Sequence, residues 1–268
     1  MATSDPIPPE HPHLHGEAPR GLYGFEDETG SPLEGGEAII PLLELIDGNQ
    51  WRFIGTGFFI TSWGLFATAK HVLKPAYESG LSTATWQLIP PNQYLIRPVD
   101  QLSFHETADL AIGVVRGAAH VETEELLINP RLRITTKVQA IGDIVATYAY
   151  PNTVIVTSTE GQILSFQPRF YEGQITEHLP NGRDRLRLPS PCYRTSMVIH
   201  HGASGGPVAG PTGRVFAVNS TGFDGTDDSF ISQIDDLLSL EIIVPGDHRD
   251  ERITIEQLAE QGDVILDL

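Results

Sequence analysis

From Ala38 onward the apolar positions come in short runs, each closed within a few residues by turn-forming side chains. Ala38 to Ile46 runs into Asp47-Gly48-Asn49, and the apolar stretches Trp51 to Thr61 and Leu65 to Thr68 flank the tight Ser62-Trp63-Gly64 connection. Strand-like segments follow at Thr83 to Ile89, Gln93 to Val99 and Asp109 to Val115. After a polar turn at Glu122-Thr123-Glu124-Glu125 the rhythm resumes at Lys137 to Ile141, Ile144 to Tyr150, Thr153 to Thr157, Gln162 to Phe166, Arg185 to Leu188 and Val215 to Asn219. Runs of this length between closely spaced turn signals predict an antiparallel barrel or sandwich, because α/β winding would need amphipathic helices between strands. Helical patterns are predicted only late, at Asp235 to Leu240 and Ile255 to Glu260. In the second, Thr254 and Gln257 have the spacing of a capping box and Gly262 is a stop.

The chain is therefore expected to be all-β. Residues 1–35, with six prolines and few large apolar side chains beyond Leu22-Tyr23-Gly24-Phe25, read as a flexible N-terminal arm. Two strand-rich stretches of similar length and texture suit two packed barrels, one over 36–118 and one over 119–245, the latter strand-rich from about 135. Residues 246–268 form a C-terminal segment with a short helix.

Composition narrows the functional classes. The 17 Lys+Arg stand against 35 Asp+Glu, a formal charge of −18. An acidic surface repels phosphate, so no nucleic-acid partner is expected. With 26 Gly and 20 Pro the chain is rich in turns, yet 40% of it is apolar, enough for a sizeable core. A single cysteine, Cys192, excludes an internal disulfide framework. The N-terminus lacks a basic start and an apolar stretch, and no window approaches the roughly 18 apolar residues of a membrane span. A soluble, cytoplasmic protein is expected, with no membrane partner.

Chemistry concentrates in Gly202-Ala203-Ser204-Gly205-Gly206-Pro207. Glycines around a serine let the backbone curl so that consecutive N–H groups share one cavity while the side chain stands free. Such N–H groups can stabilise an oxyanion, and the serine becomes nucleophilic once a neighbouring base takes its proton. Of the ten histidines, His71 stands apart, ending the apolar strand in Thr68-Ala69-Lys70-His71, where a barrel rim would present it to a cleft. Asp109 opens the apolar run to Val115, at the mouth of a buried strand rather than on a solvated face. A carboxylate there stays ionised if paired or hydrogen-bonded, which is how an aspartate fixes an imidazole tautomer.

His71 in Thr-Ala-Lys-His, Asp109 in Ala-Asp-Leu-Ala and Ser204 in Gly-Ala-Ser-Gly-Gly-Pro together resemble the triad of the trypsin/chymotrypsin-like serine peptidases. The order and the gaps of 38 and 95 residues are similar to that family's. Gly55-Thr-Gly-Phe-Phe-Ile-Thr61 resembles its opening hairpin, particularly in disulfide-free, HtrA-like bacterial members. The resemblance implies two packed six-stranded antiparallel barrels and an endopeptidase that needs no cofactor or metal and acts on protein or peptide substrates. It implies that Ser204 attacks, His71 shuttles the proton, Asp109 orients His71, and the Gly202 and Ser204 N–H groups form the oxyanion hole. It places Val198 at the base of the specificity pocket and Asn219, Ser220 and Thr221 along its wall. That pocket carries no charge for Lys or Arg, so small or medium apolar side chains are expected there.

The sequence also departs from the family. Ala203 stands where trypsin-like zymogens place an aspartate, and no Arg or Lys precedes an Ile-Val-Gly-Gly-like start. Control by a regulatory protein partner or by substrate is therefore expected rather than N-terminal trimming. The 23 residues after 245 are too short for the PDZ module that HtrA-like proteases often carry, so none is expected.

Three other classes share parts of this pattern. An α/β-hydrolase esterase shares G-x-S-x-G but needs a helix after the serine and a later histidine, and only His248 follows. A cysteine protease finds no glycine framework around Cys192. A non-catalytic binding module would keep the fold without turnover. His11, His13 and His15 could hold a transition metal, although a solvated tail is the simpler reading; His200 and His201 beside the serine motif could read an acidic group or bind metal, although loop residues, one packed and one exposed, are the simpler reading.

Overall fold

The computed structural model describes residues 25–27, 29–33, 35–46, 50–89, 93–119, 124–151, 153–158, 161–222, 229–245 and 251–268. The strands Ile39–Ile46, Gln50–Phe59, Leu65–Thr68, Ala111–Val115, Gln93–Phe104 and Thr83–Ile89, in that spatial order, close into a barrel. Closure leaves no free sheet edge, and both faces of its strands are buried: Leu42 and Phe66 share one face, Phe58 and Ile112 the other, and all four are fully buried. A second ring is formed by Ile144–Ala149, Arg169–Leu179, Cys192–Thr195, Ser229–Gln233, Val215–Gly222 and Pro207–Ala209, and the pairing of the last two closes it. All pairings around both rings are antiparallel. The two-barrel, all-β architecture is the chymotrypsin-like one expected.

Several local expectations are corrected. His71 does not end a strand: the strand stops at Thr68, and a helix runs over Lys70–Glu78, burying Val72, Leu73 and Ala76. Its 3.6-residue period is only two turns long and Pro75 interrupts the pattern, so strand-like runs on either side mask it. Lys137 to Ile141 and Arg185 to Leu188 are loops, because their apolar side chains Val138, Ile141 and Leu186 face solvent. Four barrel strands were missed, Arg169–Leu179, Cys192–Thr195, Pro207–Ala209 and Ser229–Gln233, since they are rich in polar residues or short. Phe25, assigned to a flexible arm, is 3% exposed and packs in the core, where Phe25–Glu26 pairs with Pro32–Leu33. The turn 47–49, His120, Glu122 and Thr123 lie outside the described residues.

The predicted C-terminal helix forms over Ile255–Glu260 with its Thr254/Gln257 capping box, and Asp235–Ser239 is a 3-10 helix. The chain beyond Ser229–Gln233 touches both barrels. Gln101 exchanges two hydrogen bonds with the Ile243 backbone (2.8 and 3.0 Å), and Leu266–Asp267 pairs in parallel with Ile134–Thr135. The Asp267 carboxylate takes Arg133 (2.9 Å) and Arg214; burial pushes its pKa up, but the hydrogen bonds and charges of the two arginines together outweigh burial and hold it below the ordinary carboxylate value. The depressed pKa fixes the sign of the pH dependence. This stabilisation is present above the unfolded value near 4 and is lost as pH falls through the folded one. Asp267→Ala is expected to lower the melting temperature at pH 7 by about 2–4 °C, roughly 1 kcal/mol for a partly exposed network. In melts repeated down the pH scale, the gap to wild type closes as the carboxyl protonates.

Candidate active site

The ladder between Leu65–Thr68 and Ala111–Val115 puts Thr68 opposite Ala111. His71, three residues beyond one end, therefore meets Asp109, two residues before the other. The Asp109 side chain is 7% exposed, His71 43%. Asp109 Oδ1 accepts the His71 backbone N–H (3.0 Å), and Oδ2 lies 2.8 Å from His71 Nδ1. An ionised carboxylate only accepts, so Nδ1 carries the proton and Nε2 is left as the basic nitrogen.

Asp109 has a third partner, the hydroxyl of Ser220, which donates to Oδ2. Ser220 lies at a register shift in the pairing of Val215–Gly222 with Ser229–Gln233, between Asn219 and Thr221. Such a bulge re-aims a side chain, here off the barrel ladder and onto the carboxylate. The Ser220 carbonyl accepts the Ser204 hydroxyl at 3.2 Å. Ser220 thus bridges Asp109 and Ser204. Among the described residues no hydrogen bond joins Ser204 Oγ to His71. A turn about χ1 would release the hydroxyl from the Ser220 carbonyl.

The Ser204 turn is held from both barrels. Gly202 and Gly205 have φ of +92° and +85°, in the left-handed region where glycine is favoured. The Ala203 N–H donates to His200 O (3.1 Å), Gly205 N–H to Asn219 O (2.8 Å) and Gly206 N–H to Ala203 O (3.0 Å). The Gly202 and Ser204 N–H groups have no partner among the described residues, which leaves two donors for a bound oxygen. From the first barrel, Thr56 N–H donates to Ser204 O (2.9 Å) and Thr56 Oγ1 to Gly202 O (2.8 Å), while Oγ1 accepts the Tyr150 N–H at 3.2 Å. Thr56→Val, nearly the same shape, is expected to cost about 1–3 kcal/mol, because it strands the half-buried Gly202 carbonyl and the buried Tyr150 N–H, whereas Thr56→Ser stays near wild type. Thermal melts of the two variants check this.

The other predicted site residues are spread out. Asn219, 1% exposed, points inward and donates to Thr147 Oγ1 (2.7 Å) and Ala203 O (3.3 Å), bracing the Ser204 turn from behind. Thr221 is half-buried and Val198 is 47% exposed. His200 stacks on Tyr171 (5.8 Å between centroids) with its Nδ1 3.2 Å from the phenol oxygen, and His201 is exposed. His11, His13, His15 and His248 lie outside the described residues, which contain no cluster of three His, Cys, Asp or Glu side chains able to hold a metal. Cys192 is buried, and burial pushes its thiol up to about 11, so it stays protonated and unreactive.

Sequence reasoning missed Thr56 and assigned Ser220 to the pocket wall. The signal for Thr56 was its place in Gly55-Thr56-Gly57, where flanking glycines permit close approach: a Cβ at Gly55 would lie 3.0 Å from Ser204 O. For Ser220 no sequence signal existed, since a bulge of one residue decides where its hydroxyl points.

Comparison with known proteins adds the family. The profile described as "Trypsin-like peptidase domain" matches residues 55–218, more than half the chain and all three of His71, Asp109 and Ser204. The chain belongs to the trypsin-like peptidase family. No curated protein matches it. A crystal structure of Deg5 shares the fold with a TM-score of 0.55 at 17% identity, over 75% of this chain and 85% of that one. Crystal structures of the Rv3671c protease from M. tuberculosis in an inactive form, one of them a Ser343Ala mutant, give TM-scores of 0.49 at 20% and 19% identity. They cover 74% of this chain and 84% and 82% of theirs. This trypsin-like chain has no helix among its described residues long and apolar enough to cross a membrane.

Proposed function

We propose that this trypsin-like chain is a serine endopeptidase. Ser204 Oγ attacks the scissile carbonyl as His71 Nε2 takes its proton, and the oxyanion is held by the Gly202 and Ser204 N–H groups. His71 then delivers that proton to the leaving amine, the C–N bond breaks, and an acyl-Ser204 ester remains for water to hydrolyse by the reverse proton path. The observation that carries the proposal is the His71 Nδ1 contact with Asp109 (2.8 Å), a buried carboxylate that also accepts the His71 N–H and the Ser220 hydroxyl. Three donors fix the orientation of the carboxylate, and through the Nδ1 contact that of the His71 ring.

Cleavage after small or medium apolar residues is part of the proposal, supported by the uncharged Val198 and Thr221; Asn219 and Ser220 are engaged by Thr147, Ala203 and Asp109 instead of lining a pocket. A cytoplasmic location is proposed from the lack of disulfides, and control by a protein partner from Ala203. The esterase reading is disfavoured, since Pro207–Ala209 after Ser204 is a strand and not a helix. The Ser204 contact with Ser220 O is compatible with a non-catalytic binding module, and turnover decides between them. New protein N-termini are compared in cells with wild type and Ser204→Ala. Ser204-dependent cuts after apolar residues are expected; cuts after Lys or Arg would overturn the pocket assignment, and none at all would overturn endopeptidase action.

A further inference from the structure

The loop 180–191, between Arg169–Leu179 and Cys192–Thr195, carries three of the chain's cations within five positions, Arg183, Arg185 and Arg187. Its base is rigid. Gly182 takes φ +78°, and a Cβ there would lie 2.5 Å from Leu188 O. The Arg183 N–H donates to that oxygen (2.8 Å), and Leu188 is buried with Cys192 and Phe230. Asp184 Oδ1 accepts the N–H groups of Leu186 (2.9 Å) and Arg187 (2.7 Å), which with Arg183 hold its pKa down to about 2. The Arg183 guanidinium is taken up by Asp184 (2.6 Å) and the Phe230 ring (4.8 Å).

What this frame presents is unpaired. Arg185 and Arg187 are exposed and have no acidic partner among the described residues, and Leu186 between them is 94% exposed. The loop also abuts the active site: Ser190 Oγ lies 3.4 Å from Thr107 Oγ1, two residues before Asp109. A preorganised turn binds without the entropy loss of ordering a mobile one. In a chain of charge −18, a local cationic pair attracts an acidic segment that the rest of the surface repels. At ionic strengths near 0.1 M that repulsion fades beyond about 10 Å, while contacts at the loop persist.

We propose that Arg185, Leu186 and Arg187 form a docking surface for an acidic polypeptide segment bearing an apolar residue, held beside the cleft and outside the residue that is cleaved. That the segment belongs to a substrate rests on the peptidase reading; the binding itself does not.

The test uses full-length Ser204→Ala protein and fluorescence anisotropy with a labelled Asp/Glu-rich peptide containing one leucine. Expected is binding that weakens at least about 10-fold in the added Arg185→Glu/Arg187→Glu background, and by several-fold between 50 and 500 mM salt. Replacing the peptide leucine by alanine is expected to weaken it further. Arg185→Ala/Arg187→Ala, with melting curves for both variants, controls for folding. Unchanged affinity in both variants, or equal binding of a Lys-rich counterpart, would overturn the proposal. So would a wild-type dimer, seen by sedimentation, that the same substitutions dissociate, since the surface would then serve a second copy. Fluorophosphonate labelling of the wild-type protein reads the peptidase assignment separately, because that small probe needs only Ser204 and its surroundings.

Discussion

Ser204→Ala and His71→Ala are each expected to reduce peptide hydrolysis by about 10⁴–10⁶-fold with the fold intact, a magnitude characteristic of Ser-His-Asp enzymes as a class. In the proposed mechanism the two side chains act in one step: without His71 the hydroxyl would keep its proton, and without Ser204 the imidazole would have nothing to activate. The double variant is therefore expected to be about as slow as either single one. Asp109→Asn is expected to cost about 10⁴-fold, since an amide in place of the carboxylate no longer fixes the Nδ1–H tautomer. Initial rates on a peptide cleaved by the wild type check all four variants. Additive losses in the double variant would contradict a shared step.

Gly205→Ala is expected to remove activity by a different route, loss of the fold around the serine. Gly205 has φ +85°, and a Cβ there would lie 2.1 Å from both Thr56 O and Thr68 Oγ1. Thr68 Oγ1 already donates to Thr56 O (2.7 Å), so both neighbours are pinned. Relief requires the Ser204 turn to back away from the first barrel, breaking the Thr56 contacts to Gly202 O and Ser204 O. We expect a loss of about 2–4 kcal/mol, from the left-handed backbone and the collision together, with a fall in melting temperature and no turnover in whatever remains folded. A Gly205→Ala protein with wild-type melting temperature would contradict the placement of this turn. Gly142, also at positive φ (+93°) but with nothing near its Cβ position, is the control: Gly142→Ala pays only the backbone strain.

The same glycine explains why this part of the site was legible in the sequence. A motif whose backbone must curl and approach another strand leaves a signature in residue type, and Gly202, Gly205 and Gly206 all carry it. His71 and Asp109 were legible because an ionisable residue at the end of an apolar run is conspicuous. What was hidden depends on register and pairing. The helix Lys70–Glu78 that holds His71 is too short for its period to show, and Ser220 reaches Asp109 only through a bulge. The polar strand Arg169–Leu179 and the short Pro207–Ala209 follow from barrel closure rather than from their own composition. Arg97 was equally invisible: at 2% exposure it lies inside the first barrel, donating to Gln87, Asn129 and the Arg116 carbonyl, and burial brings its pKa down to about 10. Nothing in its local sequence distinguishes it from a surface arginine.

The central claim is that Ser204 is a nucleophile made reactive by His71. The most direct test is intact-mass spectrometry after exposure to a fluorophosphonate, on wild type, Ser204→Ala and His71→Ala. The account predicts one adduct on the wild type, mapped to Ser204, none on Ser204→Ala, and labelling slowed by orders of magnitude on His71→Ala. An unlabelled wild type, under conditions in which trypsin reacts, would contradict it, as would an adduct that forms equally fast without His71.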